Sequence, residues 1–546
     1  MQKDSSLALC LITLCIALQL GFVLPSCAQS PPPKLTAAQW QADVRFLGDE
    51  LPRRHKNAYH RMKREDFEAA VERLYKSVPT MSDDEIVVGL MKLVAMVHDG
   101  HTSLNPMRIA RSGIYPVRFY RFSDGMYVQK AAPEYADIVG AKVLRIGSVG
   151  VEEAMAAVSP VVAADNDMGV LDLGPMALSF PEVLSGLKIV SEKQNVDITI
   201  SKDGRERVVS VRPEGPAENI ARPPASWLDA AGRSEVPLYR KHQGELFWFE
   251  YLKDKQLVYV KQDAVQNDPD KTLADFYKGV FEFVDANPVD KLVIDLRNNS
   301  GGNNTLLRPI LINLIRSKVN KRGHLFVITG RQTFSAAQNF VNQIEKWTEA
   351  IFVGEPTADH VNLYGDNRPF TLPNSGLVVR ASTLWWQDLD PRDERKWTAP
   401  EIAADLSSDD YRSGRDPFFQ AVLDYKPGTA ISELIQTAKE GGSLADFAQR
   451  YRKAKADPRS RYVDSEAAIN ALGYDLLAKK RTADAVDIFK LNVEFYPSSA
   501  NVYDSLGDAL VAAGRTQEAI ASYEKTLTID PNYPSSIEAL KRLKKN

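Results

Sequence analysis

The pattern of apolar and polar positions changes its period along the chain, and each period predicts a different kind of segment. Residues 36–105 place apolar side chains three and four positions apart, which predicts helices. Residues 107–215 carry short β-like runs separated by loops, which predict strands. From 216 to 428 apolar strand-like runs alternate with helical runs, the pattern of a parallel sheet covered by helices. The chain is therefore predicted to be an α/β protein whose main sheet follows a helical and a β-rich region.

The most informative stretch is 291–340. Lys291 to Leu296 is an apolar run that predicts a buried parallel strand, and it ends in a polar turn that contains Gly301 and Gly302. A helical run, a second strand and a helix opened by Ser335 follow. Because ligands bind at the carboxyl ends of such strands, this order predicts a Gly-Gly backbone and a serine at one sheet edge. Separately, each piece is more often a plain turn or an N-cap, but together they supply a nucleophile and an oxyanion hole.

Ordered motifs make the chain resemble the tail-specific, or C-terminal processing, serine peptidases, a family that includes the tricorn core protease and the retinoid-binding photoreceptor repeats. The motifs are HDGHTSL (98–104), DLRNNSGG (295–302), TFSAAQ (333–338), GEPT (354–357), APEI (399–402) and GRDPFFQAVLDY (414–425). The resemblance implies a crotonase-like α/β catalytic core at 216–428. It also implies an N-terminal helical domain at 34–106 and a PDZ-like domain at 107–215, in which the segment 163–190 is an insertion.

The resemblance also implies a catalytic site. Ser335 would be the nucleophile, and the backbone N–H groups of Ala336 and of Gly301 or Gly302 would bind the oxyanion. In the tricorn-like branch a histidine of the HDGHT motif is the general base, which gives that role to His101.

Three further positions carry alternatives or departures. Glu394 falls where the carboxylate of the tricorn-like branch would lie, with Asp390 and Asp393 as nearby competitors. His360 stands 25 residues after the serine, where the Ser-Lys branch has its lysine, and is therefore the alternative base. Gly100 departs from the tricorn-like branch, which has a serine before the histidine. We expect His101 rather than His360 to be the base.

Residues 1–28 predict a secretory signal peptide, because a charged start and an apolar run end in the small residues Ser26 and Ala28. The mature protein would then be secreted or periplasmic and begin at Gln29. The alternative is a lipoprotein tethered to the membrane through Cys27. All three cysteines lie in this segment, so disulfides and zinc thiolate sites are not expected in the mature chain. No metal or other cofactor is expected.

The net charge of −3 without a long basic run argues against nucleic acid as a partner. The C-terminal region instead predicts protein contacts. After a helical linker at 429–463, residues 464–546 contain two tetratricopeptide repeats, because Gly473, Ala485, Phe489 and Pro497 recur 34 residues later. These repeats are predicted either to hold a partner segment or to act as a structural cap. We also expect them to pack against the preceding helices or the core.

The sequence thus favours a serine peptidase that acts on a peptide or protein through an acyl-enzyme on Ser335. Two rivals remain open at this stage. One is a catalytically silent protein that binds a peptide or an apolar ligand on the same fold, since fold does not fix function. The other is an esterase, which would use the same site.

Overall fold

The computed structural model describes residues 34–109, 112–232 and 236–544. The predicted signal peptide and Cys27 lie outside these ranges. Among the helices within them, none combines the length and the apolar character that crossing a membrane requires.

Three amphipathic helices form the N-terminal region, as the sequence predicts. The third begins at a capping box, in which the Ser82 side chain accepts from the Glu85 N–H and the Glu85 side chain accepts from the Ser82 N–H. The buried residues of this third helix end at Ala95, shortly before the HDGHT segment. The helix thus places this segment next to the domain that contains the main sheet. The helices are α1 (Ala37–Arg54), α2 (Arg64–Ser77) and α3 (Asp83–Ala95).

The β-rich region forms an antiparallel sheet with the strand order β1-β2-β3-β5-β6, and the insertion in it is helical. Its buried face shares one hydrophobic core with the N-terminal helices. Its elements are β1 (Val117–Phe122), β2 (Gly125–Ala131), β3 (Lys142–Ile146), β4 (Val149–Gly150), α4 (Val151–Val158), α5 (Asp167–Ala177), α6 (Pro181–Gly186), β5 (Val196–Lys202), β6 (Arg205–Val211), α7 (Glu218–Ala221) and β7 (Leu228–Asp229).

The main sheet has the order β15-β12-β11-β10-β9-β8 and is parallel except for β8. Helices α8 to α10 cover one face and α12 covers the other, which is why its strands are apolar on both sides. The predicted βαβα unit is confirmed. The elements are β8 (Phe247–Leu252), β9 (Leu257–Gln262), α8 (Leu273–Ala286), β10 (Lys291–Asp295), α9 (Leu307–Arg316), β11 (Leu325–Thr329), α10 (Ala336–Trp347), β12 (Ile351–Gly354), β13 (Leu363–Thr371), β14 (Val378–Trp386), β15 (Ile402–Ala403), α11 (Ser408–Ser413) and α12 (Pro417–Leu423).

The β13–β14 hairpin joins the main domain to the N-terminal region. Its residues Phe370, Leu372 and Val379 lie in the same hydrophobic core as the N-terminal helices. Ser103 and Arg380 exchange backbone hydrogen bonds of 3.0 and 2.9 Å. The HDGHT segment thus lies between α3, which precedes it, and the β13–β14 hairpin, which is bonded to Ser103.

The C-terminal region is a row of helices that includes two tetratricopeptide hairpins, α15–α16 and α17–α18. Each hairpin places a glycine of its first helix against an aromatic ring of its second, Gly473 on Phe489 and Gly507 on Tyr523. Helices α13 and α14 share the core of the repeats, as the sequence predicts. The helices are α13 (Ile431–Lys439), α14 (Leu444–Ala456), α15 (Glu466–Ala478), α16 (Thr482–Phe495), α17 (Ala500–Ala512), α18 (Thr516–Ile529) and α19 (Pro534–Leu543).

We predict opposite effects for the same substitution at two helix glycines. A Cβ on Gly507 would lie 2.5 Å from the Tyr523 ring, whereas one on Gly279 in α8 meets no atom within 4 Å. Gly507→Ala should therefore destabilise the repeats, since overpacking costs about 1–3 kcal/mol. Gly279→Ala should stabilise α8 by about 0.5–1 kcal/mol through helix propensity. Hydrogen exchange of α17, α18 and α8 measures both. Equal gains at the two sites would show that the ring does not require glycine.

Candidate active site

The turn between β11 and α10 holds Ser335 in a strained backbone conformation. Its φ is 58° and its ψ is −125°, values that non-glycine residues seldom adopt. The preceding residue, Phe334, donates its N–H to the Asn299 carbonyl at 3.1 Å, which ties this turn to the turn after β10. The serine is partly exposed at the carboxyl edge of the sheet.

Gly301 lies directly against the serine. A Cβ there would be 2.6 Å from Ser335 Cβ and 2.8 Å from the Ala336 nitrogen, so a side chain would cover that N–H. Ala336 is the first residue of α10, where the N–H has no intrahelical acceptor. The Gly301 N–H itself donates to Asn299 Oδ1 at 2.9 Å. The structure therefore brings Gly301 and Ala336 beside Ser335, whereas Gly302 lies against Val265. The role of the Ala336 N–H as an oxyanion donor stays a prediction.

The turn after β10 is fixed by a buried ion network. Arg297 donates two hydrogen bonds of 2.9 Å to the two carboxylate oxygens of Asp416, which caps α12. It also donates through Nε to Asp295 at 3.1 Å. The DLRNNSGG and GRDPFF motifs thus contact each other, and they hold the Gly-Gly turn in place.

His101 lies beside the nucleophile turn. Its ring stacks on Phe334 with 4.3 Å between centroids and an interplanar angle of 21°. Burial lowers its pKa below the ordinary value, against the opposing effects of Asp99 and Asp366. The ring is therefore neutral near pH 7, the state that a general base requires.

Asp99 is the carboxylate nearest to this ring, with Oδ1 3.8 Å from His101 Nδ1. It accepts hydrogen bonds from His55 Nε2 at 2.9 Å, from the Thr102 hydroxyl at 2.6 Å and from the His101 N–H at 2.9 Å. Burial alone would raise its pKa, but the bond from His55 and the charge effect of His101 bring the pKa below the ordinary value. Asp99 is thus a buried anion next to the candidate base.

Two further carboxyl groups connect the serine turn to the histidine turn. Asp359 Oδ2 accepts the Ser335 N–H at 2.9 Å, and Asp165 Oδ2 accepts the Gly100 N–H at 2.7 Å. A Cβ on Gly100 would lie 2.8 Å from Asp165 Oδ2. The glycine that departs from the tricorn-like pattern therefore leaves room for Asp165.

The other predicted positions lie at the edge of the site. His360 is buried, its Nδ1 lies 3.4 Å from an Arg61 nitrogen, and burial lowers its pKa to about 4. Glu394 is exposed in the loop before β15, where the neighbouring Asp393 pairs with Arg395. Its catalytic role stays a prediction.

A groove of about 850 Å³ runs from helices α2 and α3 to this edge, where Asp165 and His360 line it. Apolar side chains of α2 and α3 line it, together with charged side chains of both signs, which include the cations Arg61, Arg73 and Lys92 and the acids Glu85 and Asp167. Within the described ranges these three cations have no carboxylate at ion-pair distance. The groove has the size of a ligand site and an excess of positive charge.

The side chains of Asp99, His101 and Asp165 bring potential metal-ligand atoms within 4.8 Å of one another. Their hydrogen bonds argue for another use. Asp99 already accepts three donors and Asp165 accepts the Gly100 N–H. The donor set thus fits an acid–base site built from protein groups.

The comparison with solved structures gives mature CPAF complexed with lactacystin at 14% identity and a TM-score of 0.51, covering 73% of this chain and 98% of that one. The chain shares the fold of CPAF. A second structure of mature CPAF gives a TM-score of 0.50 at 14% identity, covering 74% and 99%. The photosystem II D1 C-terminal processing protease gives 0.32 at 13% identity, covering 67% and 93%. No family model and no curated protein matches the chain.

The CPAF-like fold accounts for the motifs at the strand ends, but several polar residues of the site belong to no motif. His55 lies at the end of α1, Asp165 lies in the insertion, and Asp359 follows GEPT without a recognisable pattern. Burial and hydrogen bonding identify them, and neither property is visible in a single sequence.

We predict that the His55–Asp99 pair is far more important for stability than an exposed pair of the same kind. Both side chains are fully buried, with 2.9 Å between His55 Nε2 and Asp99. Removing one partner of a buried pair costs about 3–5 kcal/mol, because a buried carboxylate loses its donor. His55→Ala should therefore destabilise the N-terminal region by that order, as measured by urea unfolding and by hydrogen exchange of α1.

The matched control is His324→Ala. His324 Nδ1 lies 3.2 Å from Asp290, but both side chains are 40% or more exposed. An exposed pair is worth about 0–1 kcal/mol. Equal losses in the two variants would contradict the assigned role of His55.

Proposed function

We propose that this chain is a serine peptidase that cleaves polypeptides through an acyl-enzyme on Ser335. The observation that carries the proposal is the strained Ser335 turn at the start of α10, with His101 stacked on the residue before it. The CPAF-like fold supports it, and so does the crotonase-like core that the motifs imply.

In this proposal the Ser335 hydroxyl oxygen attacks the scissile carbonyl and its proton passes to Nε2 of His101. The Ala336 N–H stabilises the negative charge on the tetrahedral intermediate, and Gly301 leaves that N–H uncovered because it has no side chain. The protonated ring then gives its proton to the leaving amine, and water releases the acyl group by the same steps.

Asp99 is the carboxylate best placed to stabilise the protonated ring, because it is a buried anion 3.8 Å from His101 Nδ1. Glu394 is exposed, and it is not among the carboxylates whose charge affects the pKa of the His101 ring. We therefore assign the orienting role to Asp99 and keep Glu394 as the alternative.

The groove beside the site supports a polymeric substrate rather than a small ester. An extended chain seated along it would place apolar side chains on its apolar lining and acidic side chains near Arg61, Arg73 and Lys92. The tetratricopeptide hairpins add a surface for a protein partner, and export through the N-terminal segment stays part of the proposal.

We expect His101→Ala to lose about 10²–10⁴-fold in kcat on a peptide ester, the contribution of a general base. His360→Ala should lose much less, because its Nδ1 faces Arg61 rather than the serine turn. Ser335→Ala provides the blank, and thermal melts check that each variant folds.

Two results would contradict the assignment. If His360→Ala is inactive and His101→Ala is active, the general base is His360, at the position where the Ser-Lys branch has its lysine. A folded wild-type protein whose turnover equals that of Ser335→Ala on both polypeptide and ester substrates would favour the silent binding protein.

A further inference from the structure

Asp165 and Asp359 form a carboxyl pair between the two turns of the site. The Asp359 carboxyl accepts two backbone N–H groups, from Ser335 through Oδ2 at 2.9 Å and from His360 through Oδ1 at 3.0 Å. Asp165 accepts the Gly100 N–H through Oδ2. The two carboxyl groups also hydrogen-bond to each other.

Such a pair needs one proton, because an ionised carboxylate only accepts hydrogen bonds. Both oxygens of Asp359 already accept backbone N–H groups. The proton therefore belongs on Asp165, whose second oxygen donates to Asp359. Asp165 is the protonated partner and Asp359 is the carboxylate.

The surroundings favour this single proton. Asp359 is fully buried. The titratable groups that face the pair are Asp99, Arg61, the neutral ring of His360, and His101, whose ring nitrogen lies within 4.8 Å of an Asp165 carboxylate oxygen. Burial raises the pKa of both carboxyls well above the ordinary value, and the charge of Asp99 raises both further. The charge of Asp359 also raises the pKa of Asp165, whereas the hydrogen bond from Asp165 lowers the pKa of Asp359. Arg61 opposes the shift for Asp165.

We propose that Asp165 and Asp359 are positioning residues that share one proton and thereby lock the nucleophile turn of Ser335 to the base turn of Gly100 and His101. Neither carboxyl takes part in bond making. The pair acts by accepting the backbone N–H groups of Ser335, His360 and Gly100. This inference rests on the proposed peptidase function.

The shared proton sets the direction of a pH effect. An acid whose pKa is raised in the folded state stabilises that state at low pH and loses this contribution as the pH rises through the raised value. Above it, two adjacent carboxylates repel each other and the two turns separate. Both stability and kcat should therefore decline toward alkaline pH, as the pH rises through the raised pKa of the pair.

The test compares substitutions that preserve or destroy the pattern of donors. In Asp165→Asn the amide oxygen still accepts the Gly100 N–H and the amide N–H still donates to Asp359, with no proton to lose. This variant should keep near-wild-type kcat at neutral pH and lose the alkaline decline. Asp165→Ala should lose about 10²-fold in kcat, the scale of a misplaced catalytic group.

Asp359→Asn should lose activity. Its side-chain NH2 group would replace the oxygen that accepts the N–H of Ser335 or of His360, so two donors would face each other. Asp172→Asn is the control. Asp172 is a half-buried acid with a raised pKa that accepts from Gln332, outside the proposed pair. It should leave the alkaline decline of kcat unchanged.

Thermal melts between neutral and alkaline pH separate this inference from the peptidase proposal. The Tm of Asp165→Asn should rise relative to wild type as the pH increases, whether or not the protein cleaves peptides. A constant Tm difference, or Asp165→Asn with the same alkaline loss of kcat as wild type, would overturn the shared proton. Equal activity of Asp165→Ala and wild type would overturn the positioning role.

Discussion

The structure depends on one constraint, the strained backbone of Ser335. A residue in such a conformation costs about 1–3 kcal/mol and persists only where its surroundings fix it. Here Asn299 holds the preceding N–H, Asp359 holds the serine N–H, and Gly301 packs against the side chain. These contacts come from two turns at the carboxyl edge of the sheet, the one after β10, which holds Asn299 and Gly301, and the one after β12, which holds Asp359.

The same constraint explains why the site needs the whole N-terminal half of the chain. The main sheet supplies the proposed nucleophile and the proposed oxyanion donor, but His101 and Asp99 come from the segment after α3. That segment is held by Ser103 and Arg380 on the β13–β14 hairpin and by His55 on α1. The shared hydrophobic core of the helices, the β-rich sheet and the hairpin therefore positions the base relative to the serine.

The sequence predicts the elements well where local pattern decides them. The apolar runs at 291–296 and 325–329 become β10 and β11, and the 34-residue repeat becomes two helix hairpins because each glycine has an aromatic partner in its own repeat. It predicts less where distant residues decide. Asp99 and His55 are 44 residues apart, and Asp165 lies in an insertion without a motif. The resemblance implies Glu394 as the orienting carboxylate, whereas burial and distance favour Asp99.

The most direct test of the account is to react the protein with a fluorophosphonate and to locate the adduct by mass spectrometry of its peptides. The account predicts one adduct on Ser335, no labelling of Ser335→Ala, and slow labelling of His101→Ala, because the hydroxyl then lacks its base. An adduct on another serine, or equal labelling of the wild type and Ser335→Ala, would contradict it.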